Sequence, residues 1–205
     1  EREIWAGGGV SLARLASFAA QEGLAGLEFA HGIPGTLGGG VLMNAGAYGG
    51  EMVQVVKEVA AAGRSGVETV PAEQCGFSYR RSAFSDGERV ILGAKFQLEP
   101  DDPAAIRGRM DDLARRRKEK QPLEYPSAGS MFKRPAGHFA AALIEQCGLK
   151  GLTVGGAQVS EKHAGFVINR GGATCADVLA LVDQVKERVL QQTGVELEME
   201  VRVLR

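Results

Sequence analysis

Residues 32–51 read GIPGTLGGGVLMNAGAYGGE, the stretch of the chain in which glycine is densest, with eight glycines in twenty positions. Glycine has no Cβ, so such a segment permits tight turns and close approach of the backbone to a ligand. No Lys-Ser or Lys-Thr pair follows the glycines, and no register gives GxGxxG, which excludes the P-loop and Rossmann patterns. Two interpretations stay open: backbone N–H groups that cradle a pyrophosphate or lie against a flat ring, or close packing.

Composition narrows the class of protein. A chain of 205 residues with a formal net charge of −1 suits one or two globular domains and gives no support for binding nucleic acid or membrane surfaces. Its three cysteines and three histidines are too scattered for a disulfide framework or a zinc site. No membrane-spanning stretch or signal peptide is recognisable, which predicts a cytoplasmic protein. The chain enters at once into a strand, so we expect an N-terminal portion to be missing.

Hydrophobic periodicity predicts alternating strands and helices in the first half. We expect a strand at 4–6, then a helix capped by Ser11 with Leu12, Leu15, Phe18 and Ala19 inward, and a helix start at Pro34. Further strands are predicted at 53–62, 66–70 and 90–98, and a helix at 104–120.

The second half has a separate pattern after the prolines at 122 and 126. It predicts a helix over 138–147, strands within 154–159 and 166–169, and a capping box of Thr174 and Asp177 that starts a helix to about residue 192. Alternating apolar and charged residues over 195–204 predict a last strand with one charged face. The fold class expected is α+β with two lobes, divided at residues 98–104.

Five segments occur in the order found in the UDP-N-acetylenolpyruvoylglucosamine reductases, flavoenzymes of bacterial peptidoglycan precursor synthesis. Besides the glycine-rich segment, they are SYRRSAF at 78–84, PSAGSMFKRP at 126–135, KHAGFVIN at 162–169 and ELEMEVRVL at 196–204. The short connection before Ser130 resembles the type II form of the family. The resemblance implies that residues 1–98 are part of an FAD-binding domain, that 104–205 bind a UDP-sugar, and that the active site lies between them. The family's additional N-terminal flavin-binding lobe is absent from this sequence.

The resemblance also implies a chemistry and three catalytic residues. In the family, NADPH reduces FAD, and the flavin passes a hydride to the vinyl end of an enolpyruvyl ether. Ser130 would then protonate the carbon next to the carboxylate, Arg80 would stabilise the enolate, and Glu200 would orient Ser130 or a water, or act as an acid with a raised pKa. Ser130 has a plainer interpretation as a turn serine, and Glu200 as a solvent-facing glutamate. Arg81 could be confused with Arg80, but in a strand the two would face opposite ways, so only one of them can serve.

Further residues carry binding roles by the same resemblance. Those expected to contact the cofactor are Gly35, Thr36, Gly38, Gly39, Asn44, Gly46, Ala47 and Arg202. Those expected to contact the substrate are Tyr79, Lys120 and Arg134, although the basic run at 115–120 is also typical of a solvated helix face. We expect no metal ligands, and His163 to be a packed, hydrogen-bonded side chain.

The function predicted is therefore reduction of UDP-N-acetylglucosamine enolpyruvate to UDP-N-acetylmuramate, with FAD and NADPH as cofactors and a UDP-sugar as the binding partner. Two alternatives remain: another flavin oxidoreductase of the same wider fold family, or a non-catalytic UDP-sugar-binding fragment that has lost flavin binding. The sequence leaves the oligomeric state open.

Overall fold

The computed structural model describes residues 2–204 and divides into two compact units at the peptide bond between Arg117 and Lys118. This division falls later than the predicted one at 98–104. The intervening helix belongs largely to the first unit because Ile106 and Met110 are buried in its core. The assignment of the two parts to flavin and to UDP-sugar stays a prediction.

The first unit is built mainly of antiparallel strands with helices against them. In chain order its helices and strands are β1 (Glu3–Gly7), α1 (Leu12–Gln21), β2 (Leu24–Ala25), α2 (Leu37–Leu42), β3 (Gly46–Ala47), β4 (Gly50–Glu51), β5 (Val56–Gly63), β6 (Gly66–Pro71), β7 (Val90–Gln97), β8 (Glu99–Pro100) and α3 (Pro103–Lys120), the last of which runs three residues past the division. The main sheet has the order β1-β7-β5-β6, and all its neighbours are antiparallel. The predicted strands and the predicted helix after residue 103 are thus confirmed.

Helix α1 is amphipathic and begins at the predicted cap. The Ser11 hydroxyl accepts a hydrogen bond from the backbone N–H of Arg14, which satisfies one of the N–H groups left open at a helix start. Leu12 and Leu15 are buried as predicted, but the prediction for Phe18 is wrong, since its side chain is 48% exposed. The buried stripe is centred on Leu12, Ala16 and Ala19, and at about 100° per residue Phe18 projects about 100° from Ala19 and about 120° from Leu12.

The glycine-rich segment contains one short helix. Helix α2 begins at Leu37 with Thr36 as its cap, so the predicted helix start at Pro34 is wrong. The segment is held against the start of the chain by backbone hydrogen bonds from Leu37 to Val10 at 2.7 Å and from Gly38 to Gly8 at 2.8 Å.

The second unit places helices against a four-stranded antiparallel sheet. Its helices and strands are β9 (Ser127–Ser130), α4 (Ala140–Gln146), β10 (Thr153–Val154), β11 (Ala157–Val159), β12 (Phe166–Asn169) and α5 (Cys175–Thr193), with sheet order β10-β11-β12-β9. The predicted capping box at Thr174 and Asp177 is confirmed at the start of α5. Among residues 2–204, no helix has both the length and the apolar character needed to cross a membrane.

The predicted last strand over 195–204 is wrong. In the part of the chain that the structure describes, this segment makes one isolated bridge, between Met199 and Phe132. Leu197 is nevertheless buried and its neighbours Glu196 and Glu198 are exposed. The alternation therefore reports an extended backbone with one buried face, because burial needs no partner strand, whereas a ladder does.

Candidate active site

Arg80 occupies a tight turn rather than a strand, which corrects the expectation that it and Arg81 face opposite ways along a strand. The turn is closed by reciprocal backbone hydrogen bonds between Ser78 and Arg81, at 3.0 and 3.2 Å. Arg80 has a φ of 55°, an uncommon conformation for a residue with a Cβ. Such strain is characteristic of functional sites, where the surrounding structure holds it in place.

The guanidinium of Arg80 lies against the glycine-rich segment. Its Nη2 donates to the carbonyl oxygen of Gly46 at 3.4 Å, and its Cζ lies 4.9 Å from the centre of the Tyr79 ring. Arg80 is half-buried, whereas Arg81 is exposed. The structure therefore distinguishes the two arginines and brings Arg80, Tyr79 and Gly46 together.

Hydrogen bonds from polar side chains fasten the Arg80 turn to the glycine-rich segment. The Asn44 amide donates to the carbonyl of Ser78 at 3.2 Å, and the hydroxyls of Ser82 and Ser85 donate to the carbonyl of Leu42 at 2.8 and 3.3 Å. Asn44 and Ser82 are buried. Two segments that are distant in sequence thus form one cluster.

Asn44 is fully engaged within this cluster. Its side chain also donates to Glu51 Oε2 at 3.1 Å and accepts from the backbone N–H of Val53 at 3.0 Å. These contacts use the amide to shape the loop, and a direct contact between Asn44 and the cofactor stays a prediction.

The glycines of the glycine-rich segment differ in whether close packing excludes a side chain at their position. A Cβ on Gly46 would lie 2.7 Å from Glu51 Cγ, and one on Gly38 would lie 3.2 Å from the Gly8 carbonyl oxygen, so the fold itself requires a small residue there. A Cβ on Gly39 would meet only Thr36 Oγ1, at an ordinary 3.6 Å, and Gly35 has open space and a φ of +150°.

Gly35 and Gly39 are therefore not required by close packing, and the room beside them suits a flat group such as a flavin. We expect FAD at this face, where Gly35, Thr36 and Gly39 would line it and Ala47 is half-buried further along the segment. These contacts with the cofactor remain predictions.

Ser130 is presented by a β-bulge in the second unit. In the β9–β12 pair, Phe166 lies opposite Ser130 but Ile168 lies opposite Ser127, so β9 carries an extra residue. Gly129 has a φ of +83°, which the bulge requires and glycine adopts without strain. Ser130 is exposed while the next residue, Met131, is buried, so the strand anchors itself and offers the hydroxyl to solvent.

Glu200 is joined through its backbone to Met131, the residue that follows Ser130. Its N–H donates to the carbonyl of Met131 at 2.8 Å, and Lys133 N–H donates to the carbonyl of Glu198 at 2.9 Å. Glu200 is half-buried, whereas Glu196 and Glu198 are exposed. The glutamate that the resemblance selects is therefore the one that differs from a solvent-facing series.

The remaining predicted residues lie at the surface. Lys120 ends α3 and is exposed, and Arg202 is exposed near the end of the chain. Arg134 is exposed, with its Cζ 4.4 Å from the centre of the Phe139 ring. Within the second unit, Lys162 Nζ donates to the carbonyl of Lys118 at 2.7 Å and so holds the end of α3 near Lys120.

One residue near the glycine-rich segment was missed by sequence reasoning. Arg117 packs so closely on Gly32 that a Cβ there would lie 2.7 Å from its Nε, and its Cζ lies 5.7 Å from the centre of the Tyr48 ring. It supports the loop from α3. The signal was hidden because Arg117 belongs to a basic run that has the pattern of a solvated helix face.

Two family models match this chain. Residues 1–67 match the FAD binding domain, and residues 121–204 match the C-terminal domain of UDP-N-acetylenolpyruvoylglucosamine reductase. By class, the chain is a flavoprotein of the FAD-dependent oxidoreductases.

Curated relatives and a solved structure narrow the class to one family. The chain is 54% identical over 202 residues to the UDP-N-acetylenolpyruvoylglucosamine reductase of Syntrophomonas wolfei, covering 98% of this chain and 68% of the relative. It is 52% identical over 203 residues to that of Clostridium novyi, covering 98% and 66%. A crystal structure of the Thermus caldophilus reductase aligns with a TM-score of 0.85 and 37% identity, covering 99% of this chain and 74% of the other. The chain belongs to the UDP-N-acetylenolpyruvoylglucosamine reductase family, and it spans about two thirds of the length of the curated relatives.

These findings confirm the predicted family and the α+β fold class, and they confirm an FAD-dependent oxidoreductase with FAD and NADPH as cofactors. They favour the reductase function in peptidoglycan synthesis over the two alternatives. The roles of single residues stay predictions.

Proposed function

We propose that this chain reduces UDP-N-acetylglucosamine enolpyruvate with NADPH, using Arg80, Ser130 and Glu200 in the roles that the family resemblance implies. The observation that carries the proposal is the bulge at Gly129, which exposes Ser130 on an anchored strand whose next residue, Met131, is hydrogen-bonded to the backbone of Glu200. A turn serine with no function needs neither feature.

When bound, FAD supplies the hydride acceptor and donor that links NADPH to the vinyl carbon of the substrate. The part of the chain at Gly35, Thr36 and Gly39 would hold it, since backbone there is open to a flat group. Arg202, in the second unit, is a further predicted contact.

Arg80 suits the binding of the substrate carboxylate. A guanidinium presents paired donors to the two carboxylate oxygens, and its permanent charge stabilises an enolate as negative charge moves toward that group. The turn, the Gly46 contact and the Tyr79 ring limit how far Arg80 can move. A pre-positioned charge costs little reorganisation during the reaction.

Ser130 suits the delivery of a proton to the carbon next to the carboxylate. The overall change adds a hydride to the vinyl carbon and a proton to its neighbour, so atoms and charge balance with one proton taken from solvent. A serine hydroxyl is a weak acid, but it can protonate so basic a carbon when held within hydrogen-bond reach. Glu200, whose backbone is bonded to Met131 next to Ser130, would orient the hydroxyl or a water that restores its proton.

The nucleotide end of the substrate requires positive charge. Lys120 and Arg134 are exposed cations that would neutralise the diphosphate, and Tyr79 would add an aromatic contact. We also propose that the protein acts in the cytoplasm, because its dinucleotide and nucleotide-sugar substrates are cytoplasmic metabolites.

The test is substrate-dependent oxidation of NADPH by the FAD-loaded protein, followed at 340 nm. We expect turnover with the enolpyruvyl substrate, loss of it in Arg80→Lys because a point charge replaces a planar fork, and retention in the matched variant Arg81→Lys. UDP-sugar binding without any flavin-dependent turnover would instead support the non-catalytic alternative. Equal loss in both variants would contradict the assignment of Arg80.

A further inference from the structure

His163 is half-buried and lies in the connection between β11 and β12. This connection leads into Phe166, the residue opposite Ser130 in the β9–β12 pair. The Nδ1 of His163 accepts a hydrogen bond from the backbone N–H of Gly165 at 3.1 Å. Its ring also meets the Phe166 ring edge-to-face, with centroids 4.9 Å apart. Since Nδ1 is an acceptor here, the ring must be neutral in this arrangement.

The two peptide groups that flank Gly165 are held by His163, one by its ring and the other by its backbone carbonyl, and the second of them bonds to Met131 at the end of β9. The carbonyl of Gly165 accepts the N–H of Met131 at 2.8 Å, and Phe166 lies opposite Ser130 in the strand pair. The following peptide is held as well, because Phe166 N–H donates to the carbonyl of His163 at 3.0 Å. Both peptide groups that flank Gly165 are therefore fixed by His163.

The residue type at 165 fits the same device. A Cβ on Gly165 would lie 3.0 Å from His163 Cε1 and 3.2 Å from Nδ1, so a side chain there would push the ring away. Glycine allows the ring to approach but leaves the backbone flexible. The hydrogen bond to the ring compensates for that flexibility.

The turn that carries the ring is itself fastened. The hydroxyl of Ser160, a buried residue, accepts the N–H groups of both Lys162 and His163 at 3.2 Å. The imidazole is thus held from its backbone side, and its acceptor nitrogen is directed at a single N–H group.

We propose that His163 is a positioning residue, whose neutral ring holds the Gly165 backbone and through it the register of the strand that presents Ser130. The consequence of this positioning for catalysis rests on the proposed function, whereas the effect of His163 on the strand does not. Protonation of Nδ1 would remove the acceptor and bring two N–H groups face to face.

Burial supports this by lowering the pKa of His163 below its ordinary value of 6.5. The charged groups that act on the ring, among the described residues, are Lys150, which disfavours the imidazolium, and Glu145, which favours it; they are paired with one another at the end of α4. Because the folded-state pKa is lowered, stability falls as the pH drops below about 6.5, where the unfolded chain takes up a proton first.

The test is residue-resolved amide exchange on the chain itself, with two substitutions that differ in acceptor position. In His163→Asn the side-chain oxygen stands near the position of Nδ1 and can accept the same N–H, whereas His163→Gln places its oxygen one atom further out. We expect the protection of Gly165 and Met131 to fall roughly fivefold or more in His163→Gln, the factor for one net hydrogen bond. His163→Asn should stay near the original protein, as should the exposed control His138→Asn.

The pH dependence gives a second readout. Protection at Met131 should decline on the acid side with the imidazole pKa measured by NMR, and His163→Asn should lack that decline. Unchanged protection in His163→Gln, or equal loss in both variants, would overturn the proposal. If the strand responds as expected while no reductase activity is found, the proposed function fails and the positioning role stands.

Discussion

Asn44 and Ser78 are separated by 34 residues in the chain and joined by a hydrogen bond of 3.2 Å from the side-chain amide of one to the backbone carbonyl of the other. This bond connects the glycine-rich segment to the turn of Arg80. The residue that makes it is 2% exposed, so its polar groups must find partners within the protein.

Two substitutions at Asn44 separate its hydrogen bonds from its backbone conformation. Asn44→Gly loses the side-chain bonds but suits the φ of 41°, whereas Asn44→Ala loses the same bonds and keeps a Cβ in the left-handed region. We expect Asn44→Gly to lower the free energy of unfolding by ~1–3 kcal/mol and Asn44→Ala by about 1 kcal/mol more. Denaturant titration followed by circular dichroism measures both. An alanine variant as stable as the glycine variant would argue against backbone strain at this site.

Gly39 provides the sharper test of the flavin face. Gly39→Val should weaken FAD binding at least tenfold, because the added side chain would occupy the space proposed for FAD. The fold should survive, because the Cβ would meet only Thr36. Gly38→Val should disturb the fold as well, since its Cβ crowds the Gly8 carbonyl. Quenching of flavin fluorescence measures binding, and Gly108→Val, in open space on α3, is the control. Unchanged FAD affinity in Gly39→Val would remove Gly39 from the site.

Ser130 is expected to act only in the second half-reaction, because hydride transfer from NADPH to flavin requires no proton on carbon. In Ser130→Ala, flavin reduction by NADPH should keep its rate, and reoxidation by the enolpyruvyl substrate should fall by ~10²- to 10⁴-fold. Rapid-mixing absorbance of the flavin separates the two steps. The neighbouring Ser127→Ala should leave both rates near normal. Equal slowing of both steps by Ser130→Ala would indicate a structural role.

The three cysteines are expected to differ in reactivity. Cys75 is fully buried, and burial raises its pKa to about 11, so almost none of it is thiolate at neutral pH. Cys175 is exposed and Cys147 is intermediate. We expect a maleimide at about pH 7.5 to label Cys175 first and Cys75 only when denaturant opens the first unit. Mass spectrometry of peptides assigns each label. Rapid labelling of Cys75 in the native protein would contradict the burial.

Local patterns account for much of the secondary structure and for the choice of candidate residues. The periods of β5, β6 and β7 are patterns of neighbouring residues in the sequence. The Ser11 cap and the capping box of α5 depend on contacts between residues three apart. Where burial depends on which helix face meets the core, as for Phe18, the sequence pattern was not sufficient.

The amino-acid sequence by itself determined the family, the alternation of strands and helices, and the residue types of the site, because these follow from motifs and short-range periodicity. Only the tertiary structure decided that Arg80 lies in a strained turn against Gly46, that a bulge at Gly129 exposes Ser130, and that Glu200 is half-buried beside Met131. Each of these depends on hydrogen bonds between segments far apart in the chain, and the contacts that define them form only when those segments pack together.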